Sequence, residues 1–324
     1  MTAPLLKWAG NKRWIAGWFV KEMDKISTET GISWAVKGEQ AYIEPFCGTA
    51  SMFLRLRSEG QISPNSKVIL NDLNPVLINL YQCILEGKSE AISTKLNRLS
   101  KLYSIENSDG VIPKNLPKKE RESRMYYKKR RRLNKLIKNF SDLSSNQRIE
   151  LASLTVFLNK TCYNGLWRVN PRGEYNVPEG SYLKPSIPDV SLFIEIQKLL
   201  EDVTISSMDW SESASLATDK SLVYFDPPYF PLDRNSNVFS DYEKGGFSDE
   251  DHSKLIEYCV ELASMGARVI LSNHDSPDLI DRINALCEIK AVKSKEYRIP
   301  TRRKIGQKTS SRISVNELLI FLWS

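Results

Sequence analysis

Residues Ser221–Leu232 read "SLVYFDPPYFPL". Five residues of strand character run straight into Asp226-Pro227-Pro228-Tyr229, where glycine or asparagine would ordinarily close the strand. Two consecutive prolines fix two φ angles and remove two backbone donors, so the corner is stiff and its carbonyls stay available as acceptors. A carboxylate and an aromatic ring flank it. The corner is either a plain turn or a seat for a flat molecule with N–H groups to donate. An exocyclic amine on an aromatic ring such as adenine is a poor nucleophile, because its lone pair is delocalised into the ring. Two acceptors on its N–H groups, Asp226 and the Pro227 carbonyl, would draw that nitrogen out of conjugation. Tyr229 can stack on the ring. A methyl sulfonium beside the nitrogen would then be attacked directly, with positioning and local electrostatics doing most of the catalysis.

Such a corner must be held by a sheet, and the flanking sequence supplies one. Gln40–Leu56, "QAYIEPFCGTASMFLRL", reads as a strand, a tight turn at Cys47-Gly48-Thr49 and a helix. Lys67–Leu85 repeats the plan: strand Val68–Leu70, a polar turn Asn71–Asn74, and a helix with Pro75 in its first turn. Gly266–Pro277, "GARVILSNHDSP", and Val315–Trp323, "VNELLIFLW", are further strands. Phe247–Gly266 is an amphipathic helix with Ser248 as N-cap and Gly266 as its stop. The alternation predicts an α/β fold, an open sheet with helices on both faces. It ceases between Lys88 and Pro188, where charged helical segments, the buried helix of "LASLTVFLNK" and the Gly/Pro/Asn-rich Thr161–Pro185 follow one another. This predicts residues 88–188 as a second domain inserted into a sheet domain of residues 1–87 and 189–324.

Composition bounds the partners. At 41% hydrophobic and 26% charged, the 324 residues suit a soluble globular protein with a real core. No apolar run approaches the roughly 18 residues of a membrane helix, so no membrane association is expected. The N-terminal "MTAPLLKWAGNKRW" is interrupted by Lys7, Asn11, Lys12 and Arg13, which argues against a secretory signal. Five scattered cysteines without a Cys-x-x-Cys pair, and only two histidines, favour free thiols in a reducing, cytoplasmic setting and no metal centre. The net charge of +7 is concentrated in Arg121–Phe140 and Tyr297–Arg312, and two such runs favour a polyanion partner.

Ligands of open α/β sheets sit beyond the carboxyl ends of the strands. There, "IEPFCGTA" offers a small-residue turn into a helix N-terminus, and "ILNDLNP" places Asp72 where nucleotide sites bind ribose hydroxyls. With Gly48 its only glycine, the turn lacks a full G-x-G-x-x-G. Taken alone, each piece reads in favour of plain structure, a tight βα turn and a helix-capping acid.

Taken together, "LLKWAGNKRW", "YIEPFCGTASMFL", "LNDLNPVLINLY", Thr161–Pro185, "VYFDPPYFPL" and "VILSNHD" occur in an order that resembles the Dam-type, D12-class (alpha-group) DNA adenine-N6 methyltransferases. The resemblance runs from Leu5 to about Leu322 and is thinnest between Ala91 and Arg148. It implies a doubly wound mixed sheet of the S-adenosylmethionine-dependent methyltransferase type, with an inserted, mainly helical DNA-recognition domain carrying a hairpin. It implies S-adenosylmethionine as methyl donor, S-adenosylhomocysteine as product, no metal, and double-stranded DNA as the partner, with no obligate protein partner. Trp8, Ala9, Gly10, Lys12, Phe46 and Gly48 would line the donor pocket. Asp72 would bind the ribose, and Asp209 with Trp210 would meet the adenine end. Asp226, at the border of both sites, would hold the flipped target adenine together with Pro227, Pro228 and Tyr229. In GATC-reading members a Leu-x-Arg and a later Pro carry base recognition, and Leu166, Arg168 and Pro178 stand at those positions. Tyr163, Asn164, Asn170, Asn176, Tyr182 and Lys184 would contact flanking bases or phosphates.

Two residues depart from the family pattern: Asn11 and Ala50 stand where glycines are usual. Cys47 does not follow a proline directly, which speaks against a cytosine-C5 nucleophile and for a packed thiol. His274, Tyr126 and Tyr127 read as structural. Two rivals stay open: a cytosine-N4 methyltransferase, whose members usually carry Ser in place of Asp226, and a silent DNA-binding protein of the same fold.

Overall fold

The computed structural model describes residues 5–8, 12–110, 112, 116–229, 247–300, 304–305, 313–314 and 316–324. Its centre is a sheet of seven strands: β1 (Ala41–Glu44), β2 (Lys67–Asn71), β3 (Val203–Ser206), β4 (Ser221–Phe225), β5 (Arg268–His274), β6 (Lys293–Ile299) and β9 (Glu317–Trp323). The spatial order is β3-β2-β1-β4-β5-β9-β6. The first five strands are parallel, whereas β9 lies antiparallel between β5 and β6. Two-residue strands β7 (Lys304–Ile305) and β8 (Ile313–Ser314) pair separately. Strand order reverses between β1 and β4, so the ligand crevice of such a sheet opens at the carboxyl ends of those two strands.

Side-chain alternation divides the core. Tyr42, Leu70, Leu222, Tyr224, Ile270, Leu319 and Phe321 enter one apolar cluster, while Ile43, Ile69, Val223, Phe225, Val269, Leu271, Leu318 and Ile320 enter the other. The inner strands β1, β4, β5 and β9 are buried along their whole length, as sheets covered on both faces require. On the first face pack α1 (Arg13–Thr30), α2 (Ser51–Ser58) and α3 (Pro75–Leu85). On the other lie α9 (Trp210–Ala214), α10 (Asp249–Ser264) and α11 (Pro277–Lys290). Local signals start two of these helices where expected. The Asn74 side chain accepts from Val76 and Leu77 N–H ahead of Pro75, and Ser248 forms a capping box with Asp251.

Between α3 and β3 come α4 (Ser89–Glu106), α5 (Lys118–Ser123), α6 (Met125–Lys138), α7 (Ser145–Thr161) and α8 (Val190–Leu199). The central helix is α7, buried nearly all round and packed on α3, α4 and α6. The first apolar cluster continues without a break from the sheet through α3 into Leu96, Tyr103, Leu133, Leu151 and Phe157. Tyr126 and Tyr127 are buried there, as packing residues. No helix among the described residues is long and apolar enough to cross a membrane. All five cysteines are buried free thiols.

Candidate active site

The turn after β1 is tied down by the end of β2. Cys47 N–H donates to the Asn71 carbonyl at 2.8 Å, and Gly48 N–H donates to Asp72 Oδ2 at 2.9 Å. Asp72 Oδ1 accepts the Asn74 N–H at 2.9 Å. Burial pushes the Asp72 carboxyl up against these two hydrogen bonds. A carboxylate has about four lone-pair directions, so two N–H bonds leave acceptor capacity for a diol. Gly48 has φ +50°, and a Cβ there would point at the Trp8 indole, 3.8 Å from Nε1. Ala50 is also left-handed, with φ 50° and ψ 30°. That backbone explains why glycine is usual at this position, and alanine adopts it at a cost of roughly 1–2 kcal/mol. A shelf beyond Phe46 is aromatic: its ring stacks on Trp210 at 6.1 Å and meets Phe247 at 5.8 Å. Asp209 is exposed, and its carboxylate caps α9 through Ser211 N–H at 2.9 Å. An acid with spare acceptor capacity, a backbone approach open at Gly48 and an aromatic shelf fit an adenosine-bearing donor.

The Asp226 corner leaves β4 on the opposite side of the switch point. Its electrostatics are set by Lys12, only 4% exposed just ahead of α1. An ammonium has three donors. Those of Lys12 meet Asp226 Oδ1 at 3.0 Å, the Tyr229 hydroxyl oxygen at 3.0 Å, and Glu317 Oε1. Burial works against the charge, but the Asp226 and Glu317 carboxylates outweigh it and hold the ammonium above its ordinary range. Asp226 therefore faces a buried ammonium at hydrogen-bonding distance. Tyr229 is fixed further by His274, edge to face at 5.3 Å. Lys12, expected among the donor-pocket residues, directs its ammonium to the Asp226 corner. Pro227 is buried and Pro228 exposed. Ala9 and Gly10 lie outside the described residues.

The third component is the hairpin. Cys162 bridges to Glu179 and Val169 to Tyr175, with Asn170–Glu174 closing the tip. Helix α6 flanks it through one side chain: Asn134 Oδ1 accepts Tyr175 N–H at 2.8 Å and its Nδ2 donates to the Tyr175 carbonyl at 3.1 Å. Arg124 grips Glu179 with two bonds of 2.8 and 3.0 Å. Tyr163, Asn164, Leu166, Arg168, Pro178 and Lys184 are exposed. Arg168 Nε donates to Asn176 Oδ1 at 2.8 Å, while Asn170 Nδ2 donates to Glu174 at 2.9 Å. Tyr182 lies under the Lys7 ammonium, 4.1 Å from ring centre to Nζ. Residues 5–8 join hairpin to sheet. Asn159 receives Lys7 N–H and donates to the Lys7 and Gly165 carbonyls, at 2.7, 2.7 and 3.0 Å. Trp8 stacks on Trp167 at 5.8 Å. The basic run of α6 is less open than its sequence implies, because Arg131 pairs with Glu122, Arg132 with Glu150, and Arg130 donates to the Val177 carbonyl.

The sequence as a whole has counterparts among known proteins. The sequence model of the family described as D12 class N6 adenine-specific DNA methyltransferase matches residues 8–296. The chain belongs to that family. It is 32% identical to type II methyltransferase M.MjaIII of Methanocaldococcus jannaschii, over 90% of this chain and 91% of that protein. It is 30% identical to the DNA adenine methylase of Escherichia coli strain K12, over 97% and 93% of the two chains. Against type II methyltransferase M1.LlaDCHI of Lactococcus lactis subsp. cremoris it is 28% identical, over 98% and 94%. This D12-class methyltransferase is thus an adenine-specific DNA-modifying enzyme built on a mixed α/β sheet.

Two parts of this D12-class site escape sequence reasoning. Asn159 is hidden within a buried helix. Glu317 opens the apolar run "ELLIFLW", and a lone acid heading such a run is the signal that could have found it.

Proposed function

We propose that the chain methylates N6 of adenine in GATC within duplex DNA, after turning the target base out of the stack, with residues 88–188 as the DNA-recognition unit. The observation that carries the reading is the buried Lys12 ammonium holding Asp226 and Tyr229 at the carboxyl end of β4. An amine inside the duplex cannot reach that corner, so the base must be extruded. Asp226 and the Pro227 carbonyl would accept the two amine hydrogens, and Tyr229 would stack on the purine. S-adenosylmethionine, held by Asp72, Gly48, Phe46 and Trp8, with Asp209 and Trp210 toward its adenine, would supply the methyl group. Lys12 would hold the Asp226 carboxylate and the Tyr229 hydroxyl in place as the amine nitrogen gains positive charge.

Base reading is assigned to the exposed hairpin. With Nε of Arg168 engaged by Asn176, the two terminal guanidinium nitrogens form the fork that matches guanine O6 and N7. Leu166 and Pro178 would pack on thymine methyl groups. Tyr163, Asn164, Asn170, Asn176, Tyr182 and Lys184 would position flanking nucleotides and phosphates. The test is transfer of radiolabelled methyl to duplexes containing GATC or a single altered base, with the modified nucleoside identified. N6-methyl-2′-deoxyadenosine formed preferentially on GATC supports the reading. N4-methylcytosine, or equal labelling of all duplexes, overturns it.

A further inference from the structure

Glu317 lies far from every sequence motif and yet touches the catalytic corner. Strand β9 runs antiparallel to its neighbours, so its first residue reaches the edge where β4 and β5 end, opposite His274. Glu317 is 4% exposed. Its Oε1 accepts from Lys12 Nζ and, at 3.3 Å, from Ser272 Oγ. The Tyr229 hydroxyl lies 3.3 Å from Oε1 and 3.2 Å from Oε2. Lys12 donates to that same hydroxyl oxygen, which directs the phenolic proton to Glu317. The Lys12 ammonium also stands 4.6 Å from the centre of the Tyr229 ring.

A buried carboxylate is costly, and one buried cation between two carboxylates does not neutralise them. Asp226 and Lys12 alone would make a neutral pair. Glu317 adds a negative charge where the amine nitrogen turns positive, and it draws part of the ammonium away from Asp226. It also pins the hydroxyl end of the ring that would face the purine.

We propose that Glu317 is a positioning residue for methyl transfer: through Lys12 and the Tyr229 hydroxyl it holds the acceptor and the stacking ring in register. This rests on the adenine-N6 reading of the site. A structural carboxylate would alter folding or ligand affinity, whereas a positioning one alters the rate of the bound complex.

The experiment is single-turnover methylation of a GATC duplex at saturating S-adenosylmethionine by the full chain, Glu317→Gln and Tyr229→Phe. Donor affinity by calorimetry and melting temperature are measured alongside. Glutamine keeps the shape and an acceptor but removes the charge. Glu317→Gln should slow the bound complex at least tenfold, with donor and DNA affinities within threefold of the parent. Tyr229→Phe keeps the ring, cuts the contact and should slow at least fivefold with affinities kept. The double variant should be no slower than the slower single variant. Overturning results are a Glu317→Gln rate within threefold of the parent, a rate loss matched by lost donor affinity, or fully multiplicative effects. If Glu317→Gln does not fold, Tyr229→Phe decides: a parent-like rate overturns the proposal, and a slowed complex with intact affinity upholds it. A parent chain that forms no N6-methyl-2′-deoxyadenosine sinks the functional reading instead, which separates the two failures.

Discussion

Replacing Glu44 with glutamine tests how the donor-side turn is held. Glu44 ends β1 and is 2% exposed. Its Oε2 accepts the Tyr42 hydroxyl at 2.8 Å and the Phe53 N–H at 3.2 Å. Burial, with smaller contributions from Asp226 and Asp72, pushes its carboxyl up to about 8 from an ordinary 4.5. Below pH 4.5 the group is protonated in both folded and unfolded chains and costs nothing. Between 4.5 and about 8 the unfolded chain releases the proton and the folded chain keeps it, so stability falls as pH rises, at up to about 1.4 kcal/mol per pH unit. Above about 8 the loss is constant. From pH 5.5 to 8 the cost accumulates to roughly 2–3 kcal/mol. Glutamine keeps an acceptor oxygen and cannot ionise. Urea unfolding of parent and Glu44→Gln at both pH values, at fixed ionic strength, should show the variant gaining that amount on the parent as pH rises. A difference constant to within about 0.5 kcal/mol would mean that Glu44 is ionised in the fold and that its environment is misread.

Arg168→Ala should cost roughly 1–3 kcal/mol of discrimination at one guanine; steady-state methylation of four duplexes differing at that base checks it, and an equal fall on all four would make Arg168 a backbone contact. Asp72→Ala should weaken S-adenosylmethionine binding while sparing DNA affinity, because a diol acceptor and the anchor of Gly48 N–H are lost together; unchanged calorimetric affinity would move the donor pocket elsewhere. Gly165→Ala should destabilise by roughly 1–3 kcal/mol, since φ is +66° and the new Cβ would lie 2.4 Å from Lys7 Cβ, which cannot swing aside; a parent-like urea midpoint would contradict the tight seat of residues 5–8. Burial and the neighbouring Lys7 push Lys160 down to about 8. Between about pH 8 and 10.5 the unfolded chain therefore holds a proton that the folded chain has lost, so stability should rise with pH in the parent and not in Lys160→Met; parallel urea-unfolding curves for the two would contradict the burial of that ammonium.

What the sequence determined by itself was local. Strand β4 and its Asp-Pro-Pro-Tyr corner, the turns after β1 and β2, and the starts of α3 and α10 follow from runs, prolines and caps within a few residues of one another. Elements with weak local signals were not legible: β3 is a four-residue edge strand, and β6, "KSKEYRI", is charged and half exposed because it too lies at an edge. The charge partners were decided by tertiary structure alone. Lys12 and Glu317 stand 305 residues apart and meet because β9 is inserted antiparallel, bringing its first residue to the carboxyl edge of parallel strands. The basic face of α6 read as open charge, yet Arg131 and Arg132 find acids on α5 and α7. Periodicity and capping are felt over one or two turns of chain. The sharing of one buried ammonium among Asp226, Tyr229 and Glu317 depends on strand order, which no local pattern carries.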